Sequence, residues 1–291
     1  MTEWTSLDCS LIAGLSPECV EMEPFPHLVI KNPLPGELAR QLTEEYPPDE
    51  IMARASPESP LGSNKRLDIY AHDVSVSEEV SPLWKTFIAE QSSHRFLEHV
   101  VRLFQPAIEN TYPDLIERFG PSLERVRSGV RFRDTYDDKE ILLDAGISIN
   151  TPVAAIPTSV RMLHVDLPTK LFTGLYYLRP EADTDTRGGE LQLCRYKNPD
   201  RKAFWRYDVE PSYGEVVKTI PYQNNLVVVF LNSINALHAV TPRGVTPFTR
   251  KFVNLVVEME QGLFDSAPYQ VAHYPYRLRY YARQLFSWLR V

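Results

Sequence analysis

The chain has 291 residues, 43% of them hydrophobic and 24% charged, a composition that supplies a folded core and excludes a chain that is disordered throughout. Its formal net charge of −7 at pH 7 disfavours attraction to phosphate backbones, so nucleic acid is not an expected partner. Neither an apolar run of membrane-spanning length nor a secretion signal is visible, and this predicts a cytoplasmic protein without a membrane partner.

The first third of the chain is predicted to be mostly helical. A short strand over 25–30 is followed by apolar residues at helical spacing over 35–46 and again over 80–104, which predict one helix and then one or two more. The segment 51–67 between them is rich in Ser, Pro and Gly and is predicted to be a loop.

From residue 126 onward, short runs typical of β-strands alternate with Pro, Gly, Asp and Asn. No helical pattern of a dozen residues separates these runs, which disfavours a parallel sheet with crossover helices and favours an antiparallel jelly roll. We therefore expect a mainly β protein with helices packed outside the jelly roll. The predicted strands are 130–133, 147–150, 171–178, 190–196, 216–221, 226–231 and 252–258.

These elements predict a single domain over 1–291, acting as a monomer or homodimer. Its parts are a mostly helical region over 1–125 that packs on the core, the jelly-roll core over 126–260, and a C-terminal helical extension over 261–291. The extension has one apolar face at helical spacing, formed by Leu278, Tyr281, Leu285 and Leu289.

The β-rich part contains a spacing typical of metal sites. His164 and Asp166 are two positions apart, so a strand would place both side chains on the same face. A third ligand is available at His238, shortly after the apolar strand 226–231. Two His and one carboxylate on one face of an octahedron leave three positions open, which suits Fe(II) that activates oxygen beside a chelating co-substrate.

A lone His-x-Asp pair is also found on ordinary surface strands, so the order of the surrounding elements carries the interpretation. A Gly188–Gly189 turn precedes the next strand, His238 follows a long apolar strand, and Arg250 begins a further strand twelve positions later. A planar guanidinium can bind the distal carboxylate of a dicarboxylate co-substrate through two hydrogen bonds.

In these motifs the sequence resembles the Fe(II)/2-oxoglutarate dioxygenase superfamily, and in particular its prolyl 4-hydroxylase-like branch. The family pattern is His-x-Asp, a distal His, and then Arg or Lys about ten residues later, on a double-stranded β-helix. The matching stretches lie roughly within 160–260 and are HVDLPTKLFTGLYYLRP, RGGELQLCRYK, NNLVVVFLNSINALHAVTPRG and FTRKFVNLVVE.

The resemblance implies that His164, Asp166 and His238 hold Fe(II) and that Arg250 binds 2-oxoglutarate. Arg243 is the competing cation, but it lies in a turn only five residues after His238, whereas Arg250 begins a strand that can point inward. Further residues on neighbouring strands are candidates to line the co-substrate pocket, namely Asn150, Tyr177 and Thr249.

The activity that the resemblance implies is oxidation of a C–H bond by O2, coupled to decarboxylation of 2-oxoglutarate to succinate. The expected substrate is a small molecule such as an amino acid, an alkaloid or another metabolite of a biosynthetic route, and hydroxylation is the expected outcome, with desaturation or ring closure as variants. Asp166 speaks against halogenation, and Val256 replaces the second Arg of nucleic-acid demethylases. The alternatives are a prolyl-type hydroxylase of proteins or peptides and a cupin-like metal-binding module without turnover.

Overall fold

The computed structural model describes residues 4–56, 62–123, 125–185 and 188–271. Within these ranges, no helix has both the length and the apolar character that crossing a membrane requires. The apolar face predicted over 278–289 lies outside the described residues.

A seven-stranded sheet, called here the large sheet, forms the centre of the fold. Its main order is β1-β10-β5-β12-β4-β2, with β3 parallel to β4 and the other pairs antiparallel. The strands are β1 (His27–Lys31), β2 (Arg66–Ile69), β3 (Ser128–Val130), β4 (Ile141–Asn150), β5 (Lys170–Tyr177), β10 (Leu226–Leu231) and β12 (Arg250–Met259).

Helices cover one face of the large sheet. Alternate strand residues such as Ile147, Tyr176 and Val253 form one apolar cluster with helix residues such as Trp84 and Phe104, because successive strand side chains point to opposite faces. The helices are α1 (Gly36–Glu44), α2 (Asp49–Ala55), α3 (Ala71–Val76), α4 (Pro82–Gln91), α5 (His94–Thr111) and α6 (Pro113–Phe119).

A three-stranded sheet of order β11-β6-β9, called here the small sheet, packs on the other face. Leu191 and Leu193 of the small sheet join Tyr177, Phe230 and Phe252 of the large sheet in one apolar cluster. The face of the large sheet that carries these three aromatic residues is called the inner face below. The strands not yet given are β6 (Leu191–Tyr196), β7 (Phe204–Trp205), β8 (Asp208–Val209), β9 (Gly214–Ile220) and β11 (His238–Val240).

The predicted jelly-roll core with N-terminal helices packed on it is confirmed. The segment 51–67 was predicted to be a loop, and this was wrong at both ends: α2 covers Asp49–Ala55 and β2 begins at Arg66. Tertiary contacts override the local Ser and Pro content there, since β2 pairs with β4. The boundary at residue 125 stays a prediction, although β1 and β2 of the N-terminal region belong to the large sheet.

Asn225 connects the start of β10 to the N-terminal region. It is buried and adopts a φ of 50°, which Asn tolerates better than most residues. Its side-chain amide donates to the Leu34 carbonyl over 2.9 Å, and its Oδ1 accepts from the Tyr176 hydroxyl over 3.0 Å. Losing this side chain would leave buried polar groups on both neighbours without a partner.

We therefore expect Asn225→Ala to lower the free energy of unfolding by about 2–3 kcal/mol, the cost of leaving buried groups unpaired. Urea unfolding followed by circular dichroism measures the change. The control is Asn198→Ala at an exposed turn, where Oδ1 accepts the backbone N–H of Asp200. Equal losses in the two variants would contradict this role of Asn225.

Candidate metal centre

His164, Asp166 and His238 come together at the edge of the small sheet. The segment that contains His164 runs antiparallel to β11, and the backbones of His164 and His238 exchange two N–H to O bonds of 2.9 Å each. This pairing places the two imidazole centroids 4.1 Å apart. All three residues are buried, and one ligand atom from each lies within 4.8 Å of the other two.

Each histidine has its Nδ1 atom engaged with the backbone. Nδ1 of His164 lies 2.6 Å from the Met162 carbonyl oxygen, and Nδ1 of His238 lies 2.9 Å from that of Ala236. A carbonyl oxygen can only accept, so both Nδ1 atoms carry the proton and both Nε2 lone pairs are free to bind a metal. The same hydrogen bonds fix the orientation of the two rings.

The electrostatics of the site keep both imidazoles neutral and the carboxylate ionised. Burial lowers the pKa of His164 and His238 below the ordinary value for histidine. Burial alone would raise the pKa of Asp166, but the ammonium of Lys170 and a hydrogen bond from Thr173 hold that pKa below its usual range. Neutral His and ionised Asp are the forms that bind a metal ion.

The two carboxylate oxygens of Asp166 have different surroundings. The Thr173 hydroxyl donates to Oδ2 over 2.6 Å, and the Lys170 ammonium lies 3.3 Å from the same atom. Oδ1 instead faces Nε2 of His164 at 3.8 Å. Thr173 and Lys170 therefore hold Oδ2 and leave Oδ1 as the oxygen that points toward a metal.

Arg250 lies at the start of β12 and its side chain is buried. Its Nη1 donates to Oδ1 of Asn150 over 3.3 Å, and its guanidinium carbon lies 4.8 Å from the ring centroid of Tyr177. Its Nε and Nη2, the Tyr177 hydroxyl and Nδ2 of Asn150 are all buried without a hydrogen-bond partner among the described residues. Four unpaired polar groups thus meet at one place on the inner face.

The competing cation, Arg243, is fully engaged elsewhere. Its guanidinium donates to the backbone carbonyls of Asn150, Thr151 and Phe248 at 3.3, 3.1 and 2.6 Å. Thr249 is not brought into the Arg250 group either, because its hydroxyl donates to Asp49 over 2.8 Å. Of the residues predicted to line a co-substrate pocket, the structure gathers Arg250, Asn150 and Tyr177.

Sequence reasoning missed Thr173 and Lys170. A partial signal was present, because alternation along the predicted strand over 171–178 places Thr173 on the same face as Tyr177. No sequence motif marks either residue, and only the turn between Asp166 and β5 brings them to the carboxylate.

Comparisons with known proteins return structural similarity only: no protein-family model and no curated protein sequence matches the chain. The chain is similar to a prolyl 4-hydroxylase from Phytophthora capsici, with 18% identity over 98% of this chain and 76% of the other and a TM-score of 0.48. A Pseudomonas putida prolyl-4-hydroxylase gives 11% identity over 80% and 92% of the two chains, with a TM-score of 0.43.

A dioxygenase for auxin oxidation from Arabidopsis thaliana, solved as its complex with 2-oxoglutarate, gives 12% identity over 84% of this chain and 88% of the other, with a TM-score of 0.45. These similar structures are prolyl 4-hydroxylases and a dioxygenase, the same group that the sequence motifs resemble, and the similarity is one of fold. Any activity has to be inferred from the side chains described above.

The arrangement around Oδ2 of Asp166 predicts the behaviour of two variants. We expect Thr173→Val to weaken Fe(II) binding at least about 10-fold, because a ligand loses the hydrogen bond that orients it. Thr173→Ser should keep most of the affinity. Anaerobic isothermal titration calorimetry with Fe(II) measures both dissociation constants.

The matched control is Thr219→Val on the exposed side of β9, which makes the same chemical change away from the site. Fe(II) affinity that is unchanged in Thr173→Val would show that the hydroxyl does not orient Asp166.

Proposed function

We propose that the protein is an Fe(II)- and 2-oxoglutarate-dependent oxygenase that oxidises a C–H bond of a small molecule, with hydroxylation as the expected outcome. One observation carries the proposal. A buried arginine with unpaired donors lies on the same sheet face as the group that holds Asp166, and this combination suits a metal-chelating dicarboxylate.

The charge of Arg250 requires an anion. Its side chain is 2% exposed, and no acidic residue in the described part of the chain forms an ion pair with it. A buried charge without a partner is strongly unfavourable. Nε and Nη2 can donate two parallel hydrogen bonds to a carboxylate, and the Tyr177 hydroxyl and Nδ2 of Asn150 provide further donors.

The spacing between Arg250 and the metal centre suits one bound molecule. Thr173, which holds Asp166, and Tyr177, which contacts Arg250, lie four positions apart on the same face of β5. Four strand residues span about 13 Å. An extended five-carbon dicarboxylate with one contact at each end fills a gap of this size.

Fe(II) with 2-oxoglutarate bound supplies O2 activation, in which one oxygen atom enters succinate, carbon dioxide leaves, and the other oxygen atom is available to the substrate. The chain's own residues prepare the site for this chemistry. His164 and His238 present neutral Nε2 atoms, and Asp166 adds a negative charge that matches a divalent cation. Arg250 and Tyr177 orient the far carboxylate.

The burial of the site supports a small-molecule substrate over a protein or peptide. On the inner face near the metal ligands, Thr173 and Val256 are 5% and 2% exposed. A polypeptide would need a wider opening at these positions. A cupin-like binding module without turnover would have no use for the four unpaired groups around Arg250.

The anion requirement of Arg250 predicts a separation of two affinities. We expect Arg250→Ala to keep Fe(II) affinity within about 2-fold and to weaken 2-oxoglutarate binding about 100-fold or more, because a buried charged hydrogen-bond partner is lost. The measurement is an anaerobic titration of the Fe(II)-loaded protein with 2-oxoglutarate, followed by the visible charge-transfer band of the chelate.

Arg195→Ala is the control, since this exposed arginine pairs with Glu215 on the small sheet. Arg243→Ala should chiefly lower the unfolding temperature, because it leaves three backbone carbonyls without their donor. A chelate band that is absent from the wild-type protein would favour the binding module, and 2-oxoglutarate affinity lost in Arg243→Ala but kept in Arg250→Ala would place the co-substrate elsewhere.

A second prediction concerns Asp166, the anionic ligand. We expect Asp166→Gly to weaken iron binding and to abolish most succinate formation, because two imidazoles alone hold the metal less firmly. Chlorination should not replace it, since halogen transfer also requires the substrate to sit beside the halide. The assay combines Fe(II), 2-oxoglutarate and chloride and measures succinate and product mass together. Succinate formation at the wild-type rate would disprove a ligand role for Asp166.

A further inference from the structure

Asp144 is an acidic residue in the middle of a fully buried strand. All ten residues of β4 are buried, and Asp144 is only 2% exposed. Its Oδ1 accepts a hydrogen bond of 2.9 Å from the backbone N–H of Ala71, the first residue of α3. Its Oδ2 has no hydrogen-bond partner among the residues that the structure describes. Burial raises the pKa of Asp144 to about 6.

The cations near Asp144 are already paired with other acids. Arg66 forms an ion pair of 2.8 Å with Asp68, and Arg131 forms one of 3.0 Å with Glu258. Asp144 forms no ion pair within the described ranges. Within each pair the two charges cancel. The negative charge of Asp144 is therefore left without a compensating cation in this part of the inner face.

The position of Asp144 relative to the metal centre follows from strand register. Asp144 pairs with Val256 of β12, and Val256 pairs with Thr173 of β5. Residues directly opposite in antiparallel strands share a face, so all three side chains project from the inner face. Two strand spacings amount to about 10 Å. Asp144 thus lies about 10 Å from Thr173, whose hydroxyl holds the metal ligand Asp166.

Gly146 leaves room beside this carboxylate. A Cβ built on Gly146 would lie 3.9 Å from Oδ2 of Asp144 and 3.9 Å from the Ser148 hydroxyl, with no atom closer than 3.6 Å. The free Oδ2 therefore borders a space beside Gly146 that is large enough for one methyl-sized group and is called here the depression. Asn254 lies opposite Gly146 on the neighbouring strand β12, and it is only half-buried.

A purely structural role explains only one of the two carboxylate oxygens of Asp144. Oδ1 satisfies the Ala71 N–H at the start of α3, and an amide oxygen would serve that purpose without burying a charge. A buried unpaired charge is costly in the free protein. The negative charge and the free Oδ2 are useful where a cation binds from the depression.

We propose that the substrate carries an aliphatic amine, bound as its ammonium ion by Asp144 in the depression formed by Gly146, Ser148 and Asn254. The proposal rests on the proposed oxygenase function, because it places the ammonium about 10 Å from Thr173, the residue that holds Asp166, as the anchor of the molecule to be oxidised. Val256, between Asp144 and Thr173, lies beneath the carbon chain that connects the ammonium to the reacting C–H bond.

The test uses the anaerobic protein loaded with Fe(II) and 2-oxoglutarate and three amines of different shape: 2-phenylethylamine, cyclohexylmethylamine and 1,4-diaminobutane. Each is compared with its fully N-acetylated derivative, which has no charge. Saturation-transfer NMR and calorimetry measure binding, so no turnover is needed. We expect at least one amine to bind more tightly than its acetylated form.

Two variants distinguish the role of the charge from the role of the space. Asp144→Asn keeps an acceptor for the Ala71 N–H and should weaken amine binding about 30-fold or more, the lower range for losing one partner of a buried charge pair. Gly146→Ala adds a methyl group that meets no close contact, so it should fold normally and weaken amine binding by filling the depression. Asp73→Asn, on the exposed side of α3, is the control for charge.

The outcomes separate this inference from the proposed function. A chelate band that forms in the wild type and in Asp144→Asn keeps the oxygenase proposal, whatever the amines do. The inference is overturned if no amine binds more tightly than its acetylated form, or if Asp144→Asn binds amines as tightly as the wild type. If the band does not form, the same NMR comparison on the metal-free protein still tests Asp144 as a cation site.

Discussion

The antiparallel pairing of β12 with β4 on one side and β5 on the other is the constraint on which the rest of the site depends. It aligns Arg250 with Asn150, Phe252 with Tyr177, and Val256 with both Asp144 and Thr173. Because strand side chains alternate, a slip of one residue would move the cation to the helix-covered face. The apolar residues between these positions, such as Val253 and Leu255, prevent that slip, since they fill the core beneath the helices.

The inner face concentrates groups whose charge the protein itself does not compensate. Arg250 has no acidic partner and Asp144 has no basic one, as far as the described residues extend. The two neutral histidines and Asp166, at the edge of the small sheet, form a donor set that suits a divalent metal ion. Buried groups of this kind reduce stability unless ligands complete them. The anion, the cation and the metal ion that would do so are the three parts of one proposed reaction complex.

The order of the motifs and the resemblance they carry identified His164, Asp166 and His238 as candidate metal ligands, and the structure brings these three side chains together. Arg250 was preferable to Arg243 for a physical reason: an alternating strand can point a side chain inward, whereas a turn usually satisfies its own backbone carbonyls. Thr249 shows the limit of that reasoning, since its neighbour Arg250 points inward and its own hydroxyl is directed to Asp49. Its position immediately before Arg250, the first residue of β12, indicates a side chain on the opposite face.

Asp144 and β2 could not be found in the same way. An acidic residue interrupts the apolar run of β4, so the predicted strand began at residue 147 and the first part of β4 was left out. β2 has only four residues, Arg66–Ile69, and its polar residues Arg66 and Asp68 face the site, so local propensity favours a loop. In both cases, polar side chains on the inner face interrupt the apolar pattern by which a β-strand is predicted from sequence.

The turn at Gly188–Gly189 lets the chain pass close to two buried arginines. Gly188 has a φ of 80°, and a Cβ there would lie 1.8 Å from the Pro242 carbonyl oxygen, so only glycine fits. A Cβ on Gly189 would lie 3.3 Å from Cγ of Arg243 and 3.6 Å from Nε of Arg250. Bare backbone thus covers both arginines. Arg243 donates to the carbonyls of Asn150 and Thr151 and so connects the loop that contains Pro242 to the end of β4. The donors of Arg250 therefore remain free for a ligand.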